Sequence, residues 1–172
     1  MKKIPVQLIG EILSTNESEA MQLQRGSSFG EMVHGKVQYS LSEGLYLARK
    51  GKIEIFQRGK KIVFNDLIVK FKRFDNKIQL KYPVFRDLRD KGYVVKTALK
   101  FGADFRVYPK GKKPGKEHAK WIVFVEHESK SLKWNEFSAK NRVAHSTKKK
   151  LLLAIIDEES KSTYYEVGWV RV

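Results

Sequence analysis

Residues 151–156 read Leu-Leu-Leu-Ala-Ile-Ile, an unbroken apolar run of branched side chains. A strand that faces water on one side alternates apolar with polar, whereas a strand covered on both faces does not need to. The run therefore predicts a buried strand in a sheet with both faces packed. Working outward, Lys148, Lys149 and Lys150 precede it, following a helix predicted over 135–146. Asp157-Glu158-Glu159 turns the chain into a last strand over 163–172. Upstream, strands are predicted over 93–97, 104–108 and 119–126, the last with Trp121, Val123 and Val125 on one side. Pro83 suits the first turn of a helix through Val84, Phe85, Leu88 and Arg89 to a stop at Gly92. Residues 81–172 are thus an α/β domain.

Residues 1–80 read differently, as a small α+β domain. The segment 3–13 suits a strand pair, and 16–30, polar and rich in Gly and Ser, reads as loop contributing little core. Ser42 is a candidate N-cap for a short helix ending at Lys50-Gly51. Strands over 53–56 and 61–64 flank Arg58-Gly59, and Asn65 is a candidate cap for a helix through Phe74. The domain boundary falls close to Leu80. No internal repeat or low-complexity tract is present.

The chain has 172 residues with 35 Lys+Arg against 19 Asp+Glu, a net charge of +16 carried by both halves. With 41% hydrophobic residues it can pack cores, so a disordered cationic chain is excluded. A folded body this basic points to polyanions, nucleic acid first and an anionic membrane surface second. Cysteine is absent, which removes disulfide scaffolds, Cys-ligated metals and thiol nucleophiles. Pro5, Gln7 and Glu11 interrupt any signal-peptide core, and no apolar run approaches the roughly 20 residues of a spanning helix. A soluble, cytoplasmic protein with no membrane partner is expected.

No stretch matches G-x-x-x-x-G-K-[ST] or G-x-G-x-x-G, so kinase and dehydrogenase readings fall. His34, His118, His127 and His145 show no H-E-x-x-H spacing, which disfavours a zinc hydrolase. Asp104 with Glu128 and Lys130 resembles the acidic residue plus E-x-K set that holds magnesium in some nucleases. Three-residue matches arise readily by chance, and an ordinary solvated turn after a strand is the better explanation of them. A richer constellation surrounds the basic loop carrying Lys110, Lys112 and Lys113. The loop separates Tyr108 from His118, while Lys148–Lys150 lie between a helix and the apolar strand. RNA carries its own nucleophile, the 2′-OH. Cleavage then needs a base for that hydroxyl, an acid for the 5′-oxygen and a cation for the transition-state charge, and no metal. By spacing alone each piece also has a plain structural explanation. Tyr108 would be an aromatic packed at a strand end, His118 a loop residue, and the lysines the solvated end of a helix.

The segments KYPVFRDLRDKGYVVKTALKFGADFRVYPKG, KEHAKWIVFV, NRVAHSTKKKLLLAIID and TYYEVGWVRV together resemble the archaeal tRNA-splicing endonuclease family over residues 81–172. The N-terminal part resembles the family's smaller domain more weakly. The resemblance implies a restriction-endonuclease-like catalytic domain with a central mixed sheet, and a catalytic rather than a scaffolding subunit. It implies metal-independent cutting of precursor tRNA at bulge-helix-bulge sites, giving 2′,3′-cyclic phosphate and 5′-hydroxyl ends without cofactors. Carried over by motif, Tyr108 is the general base, His118 the general acid and Lys149, not Lys148 or Lys150, the cation. Tyrosine's ordinary pKa near 10 makes it a poor base at neutral pH, so the Lys149 charge and the basic loop must assist it. Arg142 matches an arginine that stacks on a bulge base, and Lys110, Lys112 and Lys113 are expected on RNA. Asp157, Glu158 and Glu159 match an acidic hairpin that enters a partner subunit. The last strand, with Tyr165, Val167 and Trp169, matches a tail-to-tail dimer edge. The implied assembly is a homotetramer (a dimer of dimers) or a heterotetramer with a second subunit.

Overall fold

The computed structural model describes residues 2–172, and they form two compact units that divide between Phe85 and Arg86. The sequence puts its boundary near Leu80; the division lies five residues later, inside a helix.

In the first unit, β1 (Ile4–Ile9) and β2 (Ile12–Thr15) form the expected antiparallel pair. Next come α1 (Ser18–Ser27), β3 (Glu31–Val33), β4 (Lys36–Tyr39) and α2 (Leu41–Arg49). The unit closes with β5 (Ile53–Gln57), β6 (Lys60–Lys61) and α3 (Phe64–Lys72). The sheet order is β3-β4-β2-β1-β5-β6, with β1 and β5 parallel and all other pairs antiparallel. Val6, Leu13, Val37, Leu45, Ile55, Leu67 and Phe71 are sealed in its core.

Three readings of this unit are corrected. Residues 16–30 are not loop: they hold α1, whose Ala20 is fully buried, and Phe29 behind it is buried too. A stripe of one small residue in a polar helix is too thin for periodicity to detect. Ser42 lies inside α2, and the cap is Ser40, whose side chain accepts from Glu43 N while Glu43 accepts from Ser40 N. Asn65 is not a cap, because α3 begins at Phe64 and its N-cap is Val63.

Glu43 does more than close that capping box. Its other carboxylate oxygen accepts from Gly30 N at 3.0 Å, and the side chain is buried. Gly30 needs to be glycine, with φ at +75 and Val37 Cγ1 only 2.5 Å from where a Cβ would stand. Glu43→Ala leaves two backbone donors without this acceptor, so it should cost about 2–3 kcal/mol of stability in urea titration, with Glu43→Gln recovering part of it.

The second unit takes the end of α4 (Ile78–Asp90), then β7 (Val94–Ala98), a 3₁₀ turn (Leu99–Phe101) and β8 (Ala103–Tyr108). Beyond them lie β9 (Trp121–His127), α5 (Trp134–Ser146), β10 (Lys150–Ile156) and β11 (Ser162–Val167). The order is β11-β10-β9-β8-β7, mixed because β9 and β10 are parallel and the remaining pairs antiparallel. Helix α5 packs Val143 and Ala144 on Ile122, Phe124, Leu151 and Leu153.

Pro83 sits well inside α4 rather than in its first turn. Asp75 starts the helix early, accepting from Lys77 N at 3.0 Å and pairing with Lys81 at 2.8 Å. The missing Pro83 N–H is tolerated because Ile78, Tyr82, Val84, Phe85 and Leu88 are all buried. Strand β9 is central and sealed on both faces, with Ile122, Val123 and Val125 at 0% exposure, so its alternation was only half of its pattern. In β10, by contrast, Leu152, Leu153 and Ile155 stay half-buried, because one neighbour is the edge strand β11. The final strand stops at Val167, not Val172, so Trp169 lies beyond it.

Candidate active site at one end of the C-terminal sheet

Strand register sets where Tyr108 and Lys149 stand. Val107 pairs with Trp121, and Trp121 pairs with Lys150, which makes one row across β8, β9 and β10. Backbone bonds extend it, Lys120 N to Val107 O and Lys150 N to Lys120 O, each 2.9 Å. The next row outward holds Tyr108, Lys120 and Lys149. Residues in one row share a face of the sheet, and with strands about 4.8 Å apart Tyr108 and Lys149 flank the entry of β9 at about 10 Å between backbones. His118 stands two residues before Lys120 on that entry. Tyr108 and Lys149 thus share one row at this end of the sheet, with His118 on the segment that leads into it.

Each is held differently. The Tyr108 ring is buried, yet its hydroxyl is neither bonded within the described residues nor sealed from solvent. His118 is exposed at the end of the loop. Lys149 is half-buried; its ammonium donates to Thr147 O at 2.9 Å and lies 5.5 Å from the Phe101 ring centroid.

The end of α5 separates the three lysines. Lys149 N donates to Ala144 O and Lys148 N to His145 O, with Lys148 left-handed at φ 55. Those two bonds define a Schellman ending, in which glycine is the usual left-handed residue. Lys148 therefore points into solvent, Lys150 pairs with Glu166 at 2.8 Å, and Lys149 alone turns inward. Phe101 and the Thr147 carbonyl hold that ammonium, and the sequence reading missed both. The available signal was Phe101-Gly102, the tight turn leading into β8.

The basic loop folds on itself. Lys112 pairs with Glu117 at 2.9 Å, and Lys110 lies 5.2 Å over the Tyr93 ring. Lys113 and Arg142 are exposed, Arg142 on α5. On the opposite face of the sheet Trp121 stacks edge-on with Tyr93 and donates its indole N–H to Glu166 at 2.7 Å. Lys150, then Trp121, hold Glu166 below the usual carboxylate range.

Asp157 is structural within its hairpin, accepting from Glu159 N and Lys161 N at 2.9 Å each. That leaves Glu158 projecting, while Glu159 pairs with Lys161. On edge strand β11 Tyr165 is exposed and Val167 packs on the α5 cluster; Trp169 stacks on His145 at 4.3 Å. Of Asp104, Glu128 and Lys130, the first and last are engaged with other groups. Asp104 accepts from Val125 N at 2.7 Å, and Lys130 pairs with Glu126 rather than Glu128. Among the described residues no group of three His, Cys, Asp or Glu is arranged to hold a metal, and no helix is long and apolar enough to cross a membrane.

Comparison with known families puts both units in one class of enzyme, endonucleases made of a small N-terminal domain and a catalytic C-terminal domain. Residues 6–68 match the family described as tRNA intron endonuclease, N-terminal domain, and residues 78–164 match its catalytic C-terminal domain. The chain belongs to the tRNA intron endonuclease family. Curated relatives named tRNA-splicing endonuclease include that of Thermococcus onnurineus, 40% identical over 92% of this chain and 91% of its own. That of Pyrococcus horikoshii is 40% identical over 99% and 98%, and that of Methanothermobacter thermautotrophicus 36% over 98% and 99%.

Proposed function

We propose that this endonuclease excises introns from precursor tRNA, cutting both strands of a bulge-helix-bulge element without a metal. The observation that supports the reading is the strand register, which puts Tyr108 and Lys149 in the row of Lys120, two residues after His118. Tyr108, entering the step as its phenolate, takes the proton of the 2′-OH, and the oxygen attacks the adjacent phosphorus. The bond from phosphorus to the 5′-oxygen breaks, and His118 protonates the departing oxygen. Lys149 offsets the charge on the phosphorane-like transition state, where a preoriented cation is most effective. The products are a 2′,3′-cyclic phosphate and a 5′-hydroxyl, with atoms and charge balanced and no cofactor consumed.

Two bulges need two sites at a set spacing, so the chain acts as a dimer of dimers or as a heterotetramer with a second subunit. Glu158 on its hairpin and the exposed Tyr165 and Trp169 at the β11 edge are the contacts that support such assembly. The mixed five-stranded sheet with α5 across one face supports a restriction-endonuclease-like class for the catalytic unit. Incubation of the purified chain with a bulged precursor tRNA in excess EDTA tests the reading. Expected are two cuts per intron with cyclic phosphate ends; cleavage that appears only on adding magnesium would return the assignment to a metal-dependent nuclease.

A further inference from the structure

The first unit holds none of the three proposed catalytic side chains, yet it has an open groove of unusual charge. Arg58, Lys60 and Lys61 of the β5–β6 hairpin form one wall; Lys70 and Arg73 form the other, with Asp66 the lone acid. Only Lys61 has a matched charge, in Glu54 at 2.7 Å. Arg58, Lys60, Lys70 and Arg73 make no ion pair among the described residues.

This clustering is built by the secondary structure. Asp66, Val69, Lys70 and Arg73 recur at i, i+3, i+4 and i+7, one stripe of α3, while Leu67 and Phe71 face the core. Across from them the hairpin turns in two residues, Arg58-Gly59, with φ of 51 and 78. Both positions of such a turn are left-handed, where Asn-Gly is the favoured pair and an arginine is strained. Strain kept at an exposed tip has no stability rationale, and it keeps a guanidinium at the groove mouth. Several unmatched cations converging on a concave surface repel one another until a polyanion enters.

We infer that this groove binds the phosphodiester backbone of the RNA substrate, a contact separate from the cutting site; the inference rests on the reading of the chain as an RNA endonuclease. It predicts opposite signs for one substitution. Arg58→Asn should raise the melting temperature, because it relieves the turn, while weakening RNA binding. Combined with Lys70→Gln and Arg73→Gln, it should lower affinity at least about tenfold near physiological salt and flatten the salt dependence by about 0.9 in log–log slope for each duplex phosphate lost.

The test measures affinity of the full chain for a precursor tRNA with 2′-deoxy sugars at both cleavage positions, across a salt series, with light scattering on the same samples. Weaker binding and a flatter slope at unchanged particle mass support the groove. Unchanged affinity overturns it, and so does a loss of affinity accompanied by a smaller particle, which would assign the groove to an acidic partner chain. The deoxy probe reads binding alone, so its outcome is distinct from the EDTA cleavage result. Absent cleavage with a groove-dependent affinity sinks the enzyme reading only; normal cleavage with groove-independent affinity sinks the groove only.

Discussion

His118→Ala should slow cleavage of a bulged precursor tRNA by about 10²- to 10⁴-fold at saturating RNA, with RNA affinity and melting temperature unchanged. That factor is about 3–6 kcal/mol of transition-state stabilisation, since each tenfold is about 1.4 kcal/mol. His118 is exposed on a loop, so truncation opens no cavity and breaks no core contact, and a loss of rate cannot be charged to unfolding. A general acid matters in proportion to how badly the leaving group needs its proton. An RNA whose scissile 5′-oxygen is replaced by sulfur departs as a thiolate, which needs none. The variant and the parent should therefore cut this analogue at similar rates. Equal slowing on both substrates would mean that His118 positions RNA rather than donating a proton.

The same contrast between exposed and buried groups explains what the sequence made legible. The continuous apolar run Leu151–Ile156 and the strands β1 and β2 are readable because each carries its apolar signal along a single element. Helix α1 left no such trace, because one buried alanine among polar residues does not repeat. Pro83 misled because local propensity puts proline at a helix start, whereas here Asp75 organises an earlier turn and core burial outweighs the lost bond. At the candidate site, residue types were readable and their roles were not. Which lysine turns inward depends on a Schellman ending with a non-glycine residue, and on a phenylalanine some fifty positions upstream, neither of which spacing can express. Asp157 was read with Glu158 and Glu159 as one acidic cluster, but its carboxylate is consumed in folding the hairpin. The sheet register, not local sequence, is what sets Tyr108 and Lys149 in one row.

Two tyrosines in the same unit separate stability from chemistry, and they give the second large effect. Tyr164→Phe removes a hydrogen bond of 2.6 Å to Asp87 and should cost about 1.5–3 kcal/mol of stability with little change in cleavage rate. Burial, and then the Asp87 contact, push the Tyr164 phenol above its ordinary pKa. Its contribution is therefore complete below about pH 10 and is lost as pH rises beyond that, when the unfolded chain releases the proton and the folded one keeps it. In Tyr164→Phe that alkaline decline should be shallower. Tyr108→Phe should behave in the opposite way. Its ring is buried where that of Tyr164 is half-buried, but its hydroxyl is bonded to nothing in the described residues, so removing one oxygen preserves the packing and forfeits no internal bond. Stability should stay within about 0.5 kcal/mol of the parent, the usual range for changes that touch no packed or paired group. Cleavage should nonetheless fall by about 10²- to 10⁴-fold, because a phenyl ring cannot take the proton of the 2′-OH. Single-turnover rates beside thermal melts of both variants decide the matter. A Tyr108→Phe chain that cuts at the parental rate would remove the tyrosine from the reaction and leave it as a packed aromatic at the end of β8.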